Sequence, residues 1–179
     1  MSRLINTGTG TGIAVAALAC VLAPAPAVAA PAPAGEPAAP PATMTCSIQT
    51  RTGHYVTAVG GGGRTADAVR TDATKAGPTE RFQLVALDAT TFAVRTSGNR
   101  YISVVGGGGR TTGAIRSTAT AVGAEEKMGV VPITADGWSA IRTPKGTYLT
   151  AVGGGGRSKD VVRSTATKIG PDERFKFTC

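Results

Sequence analysis

Aromatic side chains make up only 4% of this 179-residue chain. A core must therefore be assembled from Val, Ile, Leu and Ala, and there is little material for an aromatic-lined cofactor box. Histidine occurs once, at His54, and the three cysteines, Cys20, Cys46 and Cys179, stand far apart. That set matches no zinc-ligand spacing, which puts aside zinc fingers and His-based metalloenzymes, and no metal or cofactor is expected. Acidic residues are also few, 11 Asp plus Glu against 19 Lys plus Arg, for a formal net charge of +8. The length allows one ordinary domain with appendages and excludes a large multidomain enzyme.

No apolar run is long enough to span a bilayer. Ile13 to Leu22 is apolar but meets Pro24 and Pro26 after about 10 residues, where a span needs roughly 20. Arg3 is the one charge ahead of Glu36, and Ala27-Val28-Ala29 has the small-x-small pattern of a cleavage site. Residues 1–29 read as a secretory signal peptide cut after Ala29, which implies a secreted protein. A lipoprotein anchored at Cys20 is the competing reading, weakened by Ala17 where a leucine is expected. Residues 30–44 hold five prolines and six alanines with the single charge Glu36, a composition that buries nothing and reads as a disordered linker.

What the sequence has in excess is glycine, 25 residues, much of it in three runs of four. Tyr55-Val56-Thr57-Ala58-Val59 leads into Gly60 to Gly63 and Arg64, Tyr101-Ile102-Ser103-Val104-Val105 into Gly106 to Gly109 and Arg110, and Tyr148-Leu149-Thr150-Ala151-Val152 into Gly153 to Gly156 and Arg157. The same offsets carry Gly77 onto Gly123 and Gly170, Glu80 onto Glu126 and Glu173, and Phe82 onto Met128 and Phe175. The period is about 46 residues, giving units of about 46–90, 91–136 and 137–179. Each unit offers four short extended segments, in the first Cys46 to Thr50, Tyr55 to Val59, Asp67 to Thr71 and Arg81 to Leu87, separated by turn residues. Alternation turns Val56 and Ala58 inward and Tyr55 and Thr57 outward. Ile48, Val69, Phe82, Leu84 and their counterparts complete the expected core.

Four strands in about 46 residues also suit a propeller blade, but three blades do not close a ring. Three such units do close as a β-trefoil, a six-stranded barrel capped by three hairpins, so the expectation is an all-β chain with a single β-trefoil over residues 45–179. First and last strands are neighbours in that barrel. Once the leader is removed, Cys46 and Cys179 are the cysteines left, in an oxidising compartment, and a disulfide between them follows.

Gly53-His54-Tyr55-Val56-Thr57-Ala58-Val59 with Gly77-Pro78-Thr79-Glu80-Arg81-Phe82, and the third-unit counterparts Gly146 to Ala151 and Gly170 to Phe175, resemble the fascin-type β-trefoil repeat. The resemblance covers about 46–179 and implies a secreted, single-trefoil, bacterial relative. Fascins bundle actin with four trefoils in tandem, and bundling needs at least two binding faces. Single fascin-like trefoils beside secreted carbohydrate-active domains serve as glycan-binding modules, and that is the role implied here. The Q-x-W signature of ricin-type lectins is absent.

Three sets of residues are candidate ligand contacts. Tyr55, Tyr101 and Tyr148 can stack on sugar rings, with Asp67 and Asp160 accepting hydroxyl hydrogen bonds; unit two has Gly113 at that position and reads as degenerate. Arg64, Arg110 and Arg157 can hold an anionic ligand beside exposed amides, or can pair with nearby carboxylates; Arg70, Arg116 and Arg163 share that ambiguity. The glycine runs read as hairpin tips needing positive φ, since no Walker-type lysine follows them. Trp138 reads as packing. No base accompanies any serine nucleophile, so no enzyme activity is expected. The reading favoured is a monomeric, non-enzymatic module for an extracellular glycan or anionic polymer. The alternative is a protein-interaction module, actin-binding-like or a protease inhibitor, using the glycine runs. Basic charge spread over all three units, together with export, argues against nucleic acid.

Overall fold

Each repeat contributes four strands, and glycine or proline turns set where each one stops. The structure is a computed structural model describing residues 41–179. The leader, Cys20 and most of the linker lie outside the described residues. In chain order the strands are β1 Thr43–Thr50, β2 Tyr55–Ala58, β3 Val69–Ala73 and β4 Arg81–Ala86 in unit one. Unit two has β5 Thr91–Arg95, β6 Tyr101–Val104, β7 Ile115–Ala119 and β8 Met128–Pro132, and unit three β9 Trp138–Arg142, β10 Tyr148–Ala151, β11 Val162–Ala166 and β12 Arg174–Thr178. β1 begins at Thr43, inside the stretch read as linker, because Thr43 and Met44 pair with Val85 and Leu84 of β4.

The barrel closes antiparallel in the order β1, β4, β5, β8, β9, β12 and back to β1. The remaining strands form the hairpins β2–β3, β6–β7 and β10–β11, each tied to the first strand of its own unit. This is the expected β-trefoil. The register Ser47↔Thr178 brings the barrel's first and last strands together beside Cys46 and Cys179, which are disulfide-bonded.

The core repeats with the sequence. Ile48, Val94 and Ile141, then Val56, Ile102 and Leu149, then Val69, Ile115 and Val162, then Phe82, Met128 and Phe175 line one central void of about 50 Å³. Four three-membered layers of mostly aliphatic side chains fill the barrel, which is how a chain so poor in aromatics builds an interior.

The glycine runs lie, as expected, in the loops connecting the two strands of each hairpin, but they are not free tips. After β2, β6 and β10 each run makes a single 3-10 turn and then crosses to the neighbouring unit. Gly63 N–H donates to Ser117 O at 2.7 Å, and Ser117 N–H to Arg64 O at 2.9 Å. Gly109 and Arg110 make the same pair with Ser164, at 2.7 and 2.9 Å, and Gly156 and Arg157 with Thr71, at 2.6 and 2.8 Å. Unit one is thus strapped to two, two to three, and three to one. All four glycines of every run have positive φ. The third is also sterically compelled: a Cβ on Gly62 would come within 2.5 Å of Thr96 Oγ1, one on Gly108 within 2.6 Å of Thr143 Oγ1, and one on Gly155 would overlap Thr50 Oγ1. Those threonines are buried counterparts of one another, with Thr50 at 0%, Thr96 at 2% and Thr143 at 4% exposure.

Gly153→Ala, which meets nothing within 4 Å, should lose about 1–2 kcal/mol from its left-handed backbone alone. Gly155→Ala should lose clearly more, because the methyl also displaces Thr50; urea unfolding of the two variants reads the difference. Replacing both Cys46 and Cys179 with serine should lower stability by roughly 4–5 kcal/mol in the same assay, since the bond closes most of the domain into one loop.

Candidate functional site

Four features compete for a functional role, and geometry separates them. Tyr55, Tyr101 and Tyr148 open β2, β6 and β10 and are half-buried, with Gln49, Arg95 and Arg142 opposite them. The Arg95 guanidinium carbon stands 6.0 Å from the centre of the Tyr101 ring, so one face of that ring is already occupied. Asp67 and Asp160 are exposed and, with Gly113, line a depression of about 30 Å³ where the three hairpins meet. Tyr55 stands opposite Ala73 while Asp67 lies beyond the Ala58↔Val69 end of the same hairpin. The two are therefore on the order of 10 Å apart along the strand and do not share a site. Asp67 and Asp160 both have φ 46°, and Gly113 has φ 55°. One left-handed backbone conformation, easy for Gly and tolerated by Asp, accounts for all three positions.

Arg64, Arg110 and Arg157 are exposed. Arg64 Nε donates to Ala66 O at 3.3 Å and Arg110 Nε to Thr112 O at 3.4 Å. None of the three forms an ion pair with a described residue; the ion pair found there is Arg51 with Asp172 at 3.3 Å. Pairing with carboxylates therefore does not explain these arginines.

The Gly-x-x-Glu part of the repeat is a polar lock. Glu80, Glu126 and Glu173 are buried at 6, 6 and 8% exposure. Each accepts from the amide three residues earlier: Gly77 at 2.8 Å, Gly123 at 2.7 Å and Gly170 at 2.8 Å. The other carboxylate oxygen takes the Ser103 hydroxyl at 2.5 Å in unit two and the Thr150 hydroxyl at 2.7 Å in unit three. In unit one Thr79 donates to Glu80 at 2.9 Å, and the Thr57 hydroxyl faces the same carboxylate without completing a hydrogen bond. This corrects the outward placement of Thr57 and its counterparts: they leave the barrel but are covered by the Glu-bearing turn, and Ser103 is 5% exposed.

The fourth feature is a pair of related grooves at unit boundaries, where the first hairpin turn of one unit faces the Glu-bearing turn of the preceding one. Between units two and three the groove measures about 910 Å³ and includes Thr91, Ala124, Lys127 and Pro144. The matching groove between units three and one measures about 290 Å³ and is lined by Trp138, Pro171, Arg174 and Arg51, which stand at the equivalent positions. Where Thr91 stands opposite Gly129 at the larger groove, Trp138 stands opposite Lys176 at the smaller one. Trp138 is therefore half-buried at a surface groove rather than packed in the core. Sequence symmetry hid this site, because its tryptophan and arginines occur together in one boundary only.

Among the described residues no three His, Cys, Asp or Glu gather to hold a metal, and no helix is long and apolar enough to cross a membrane.

No family model matches the sequence, and no curated protein is similar to it. Solved structures are similar in fold. A designed threefold-symmetric protein, ThreeFoil, matches with TM-score 0.65 at 12% identity, over 75% of this chain and 98% of that one. The Rhizoctonia solani agglutinin matches with TM-score 0.61 at 14% identity, over 82% and 98%. The exo-β-1,3-galactanase 1,3Gal43A of Clostridium thermocellum matches with TM-score 0.65 at 12% identity, over 78% of this chain but 31% of that one. At these identities the likeness establishes the fold, and the fascin-type assignment rests on the repeat motif alone.

Burial pushes the Glu80 carboxyl up, but the facing Thr57 hydroxyl together with the hydrogen bonds from Thr79 and the Gly77 amide outweigh it and hold the group below its ordinary value of 4.5. The folded state therefore gains stability from ionised Glu80 above that value and loses it as pH falls through the lowered one. The melting-temperature difference between the wild type and Glu80→Gln should be largest at neutral pH and shrink towards about pH 3.

Proposed function

We propose that this protein is an exported, non-enzymatic carbohydrate-binding module whose ligand sits in the grooves between trefoil units. The observation that carries the reading is the boundary between units three and one, where an aromatic face and hydrogen-bonding groups converge on an open groove of about 290 Å³. Sugar sites combine a flat apolar platform with a few polar groups that fix orientation, and small-molecule clefts begin at about this size. The fold fits the role, as a trefoil is shared with an agglutinin and with part of a galactanase. The disulfide suits an oxidising extracellular setting.

The tyrosines are weaker candidates, because their intended aspartate partners lie at the other end of the hairpin. Use of the glycine runs as recognition loops is weaker still, since their backbone groups are engaged in the inter-unit straps. Arg64, Arg110 and Arg157 supply long-range attraction for an acidic polymer, felt as salt-dependent affinity.

Incubating the full chain with a panel of insoluble and immobilised polysaccharides, neutral and acidic, tests the reading. Retention by at least one polysaccharide is expected, reduced when Trp138 is replaced by alanine and largely unchanged in Tyr55→Ala. Failure of every polysaccharide to retain a folded protein would sink it.

A further inference from the structure

We infer that the groove between units three and one takes a sugar ring bearing a carboxylate, of the hexuronate type, and that it is the single specific site among the described residues. The inference rests on the carbohydrate-binding reading above and adds the ligand class.

Trp138 stands opposite Lys176 in the β9–β12 pair, and Arg174 opposite Ala140, so Trp138 and Arg174 are diagonal neighbours on one outer face of the barrel. Arg51 reaches the same groove from the β1–β2 turn. Arg174 lines the groove and its side chain makes no hydrogen bond among the described residues; its Nε atom is buried, so the terminal nitrogens are the donors a ligand in the groove can meet. A planar carboxylate is the group their paired geometry fits. Arg51 Nε and one terminal nitrogen both end on Asp172 Oδ1, at 3.4 and 3.3 Å, which leaves Oδ2 to accept from a sugar hydroxyl.

The charges around the groove are mixed. Arg51, Arg174 and Lys176 face Asp172 and Asp136, the latter held below its ordinary value first by the Thr134 hydroxyl and more weakly by Lys176 and Arg174. One positive charge is left over, which suits a singly charged ring with hydroxyls rather than a densely charged phosphate or sulfate. Neither of the other boundaries can reproduce the set. Thr91, Lys127 and Pro144 occupy the positions of Trp138, Arg174 and Arg51 at one, and Thr45, Arg81 and Ser97 at the other, so both lack the stacking face.

The chain holds one tryptophan, so its fluorescence reports on this groove alone. The full chain would be titrated with a galacturonic acid oligosaccharide and with the same oligosaccharide after reduction of its carboxyls to alcohols. A saturable emission change with one oligosaccharide per chain is expected, with the reduced form binding at least about tenfold more weakly. Arg174→Gln and the exposed Arg51→Gln should each remove about tenfold of the preference for the acid and leave the reduced form's weaker binding in place. Trp138→Phe removes the reporter, so it is read by retention on the two oligosaccharides immobilised on resin; it should weaken both while circular dichroism stays unchanged. Equal binding of the two oligosaccharides would overturn the carboxylate and leave the carbohydrate reading standing. Retention on polysaccharide with no emission change would place the site elsewhere and overturn the groove. Absence of binding to any carbohydrate would overturn both readings. An equal emission change with inorganic phosphate, an acidic peptide or a single-stranded oligonucleotide would make the groove a general anion site and overturn the inference.

Discussion

Two backbone hydrogen bonds at each unit boundary, made three times around a closed circuit, are what the rest of this structure depends on. They require a chain segment that leaves its own hairpin, passes directly over a buried threonine and presents an amide and a carbonyl to the next unit's third strand. Only glycine passes there. Thr50, Thr96 and Thr143 occupy the space a side chain would take, and the side chains of Ser117, Ser164 and Thr71 add a third bond to the backbone amides of Arg64, Arg110 and Arg157. The barrel alone would be a short six-stranded ring with open ends. The circuit of straps fixes the hairpins that close one end.

The repeat made the architecture legible from sequence. A period of about 46 residues, four strand-like segments per period and three periods admit few closed all-β arrangements, and the core positions followed from the alternation around Val56, Ile102 and Leu149. Positive φ in the glycine runs was legible because it is a local property, but the contact that compels it lies 34 residues further along the chain, between Gly62 and Thr96. The same applies to Glu80, Glu126 and Glu173. They served to align the repeats, but a buried carboxylate satisfied by its own turn and by a neighbouring strand is visible only once both are placed together.

The groove was less legible for the opposite reason. Repeats draw attention to what recurs, and Tyr55, Tyr101, Tyr148 and the three post-glycine arginines recur. In a threefold scaffold the recurring residues hold the scaffold together, and specificity has room to develop where one copy departs from the other two. Trp138 and Arg51 are such a departure, set beside Arg174, whose counterparts Lys127 and Arg81 are also basic; they come from two units that are distant in sequence and adjacent in the barrel. Arg64, Arg110 and Arg157 are the exception, since they recur, stay exposed and find no ion-pair partner among the described residues.

The bond between Cys46 and Cys179 gives the domain the topology of a ring. Between those two residues the covalent path has no free end, so cutting one peptide bond in any surface turn yields a single linear molecule rather than two fragments. The strand pairs and straps on either side of the cut stay tethered, and the severed ends remain near one another instead of diffusing apart. Met by a protease, the domain would in this way survive a first scission as one piece, and only a second cut could release a fragment.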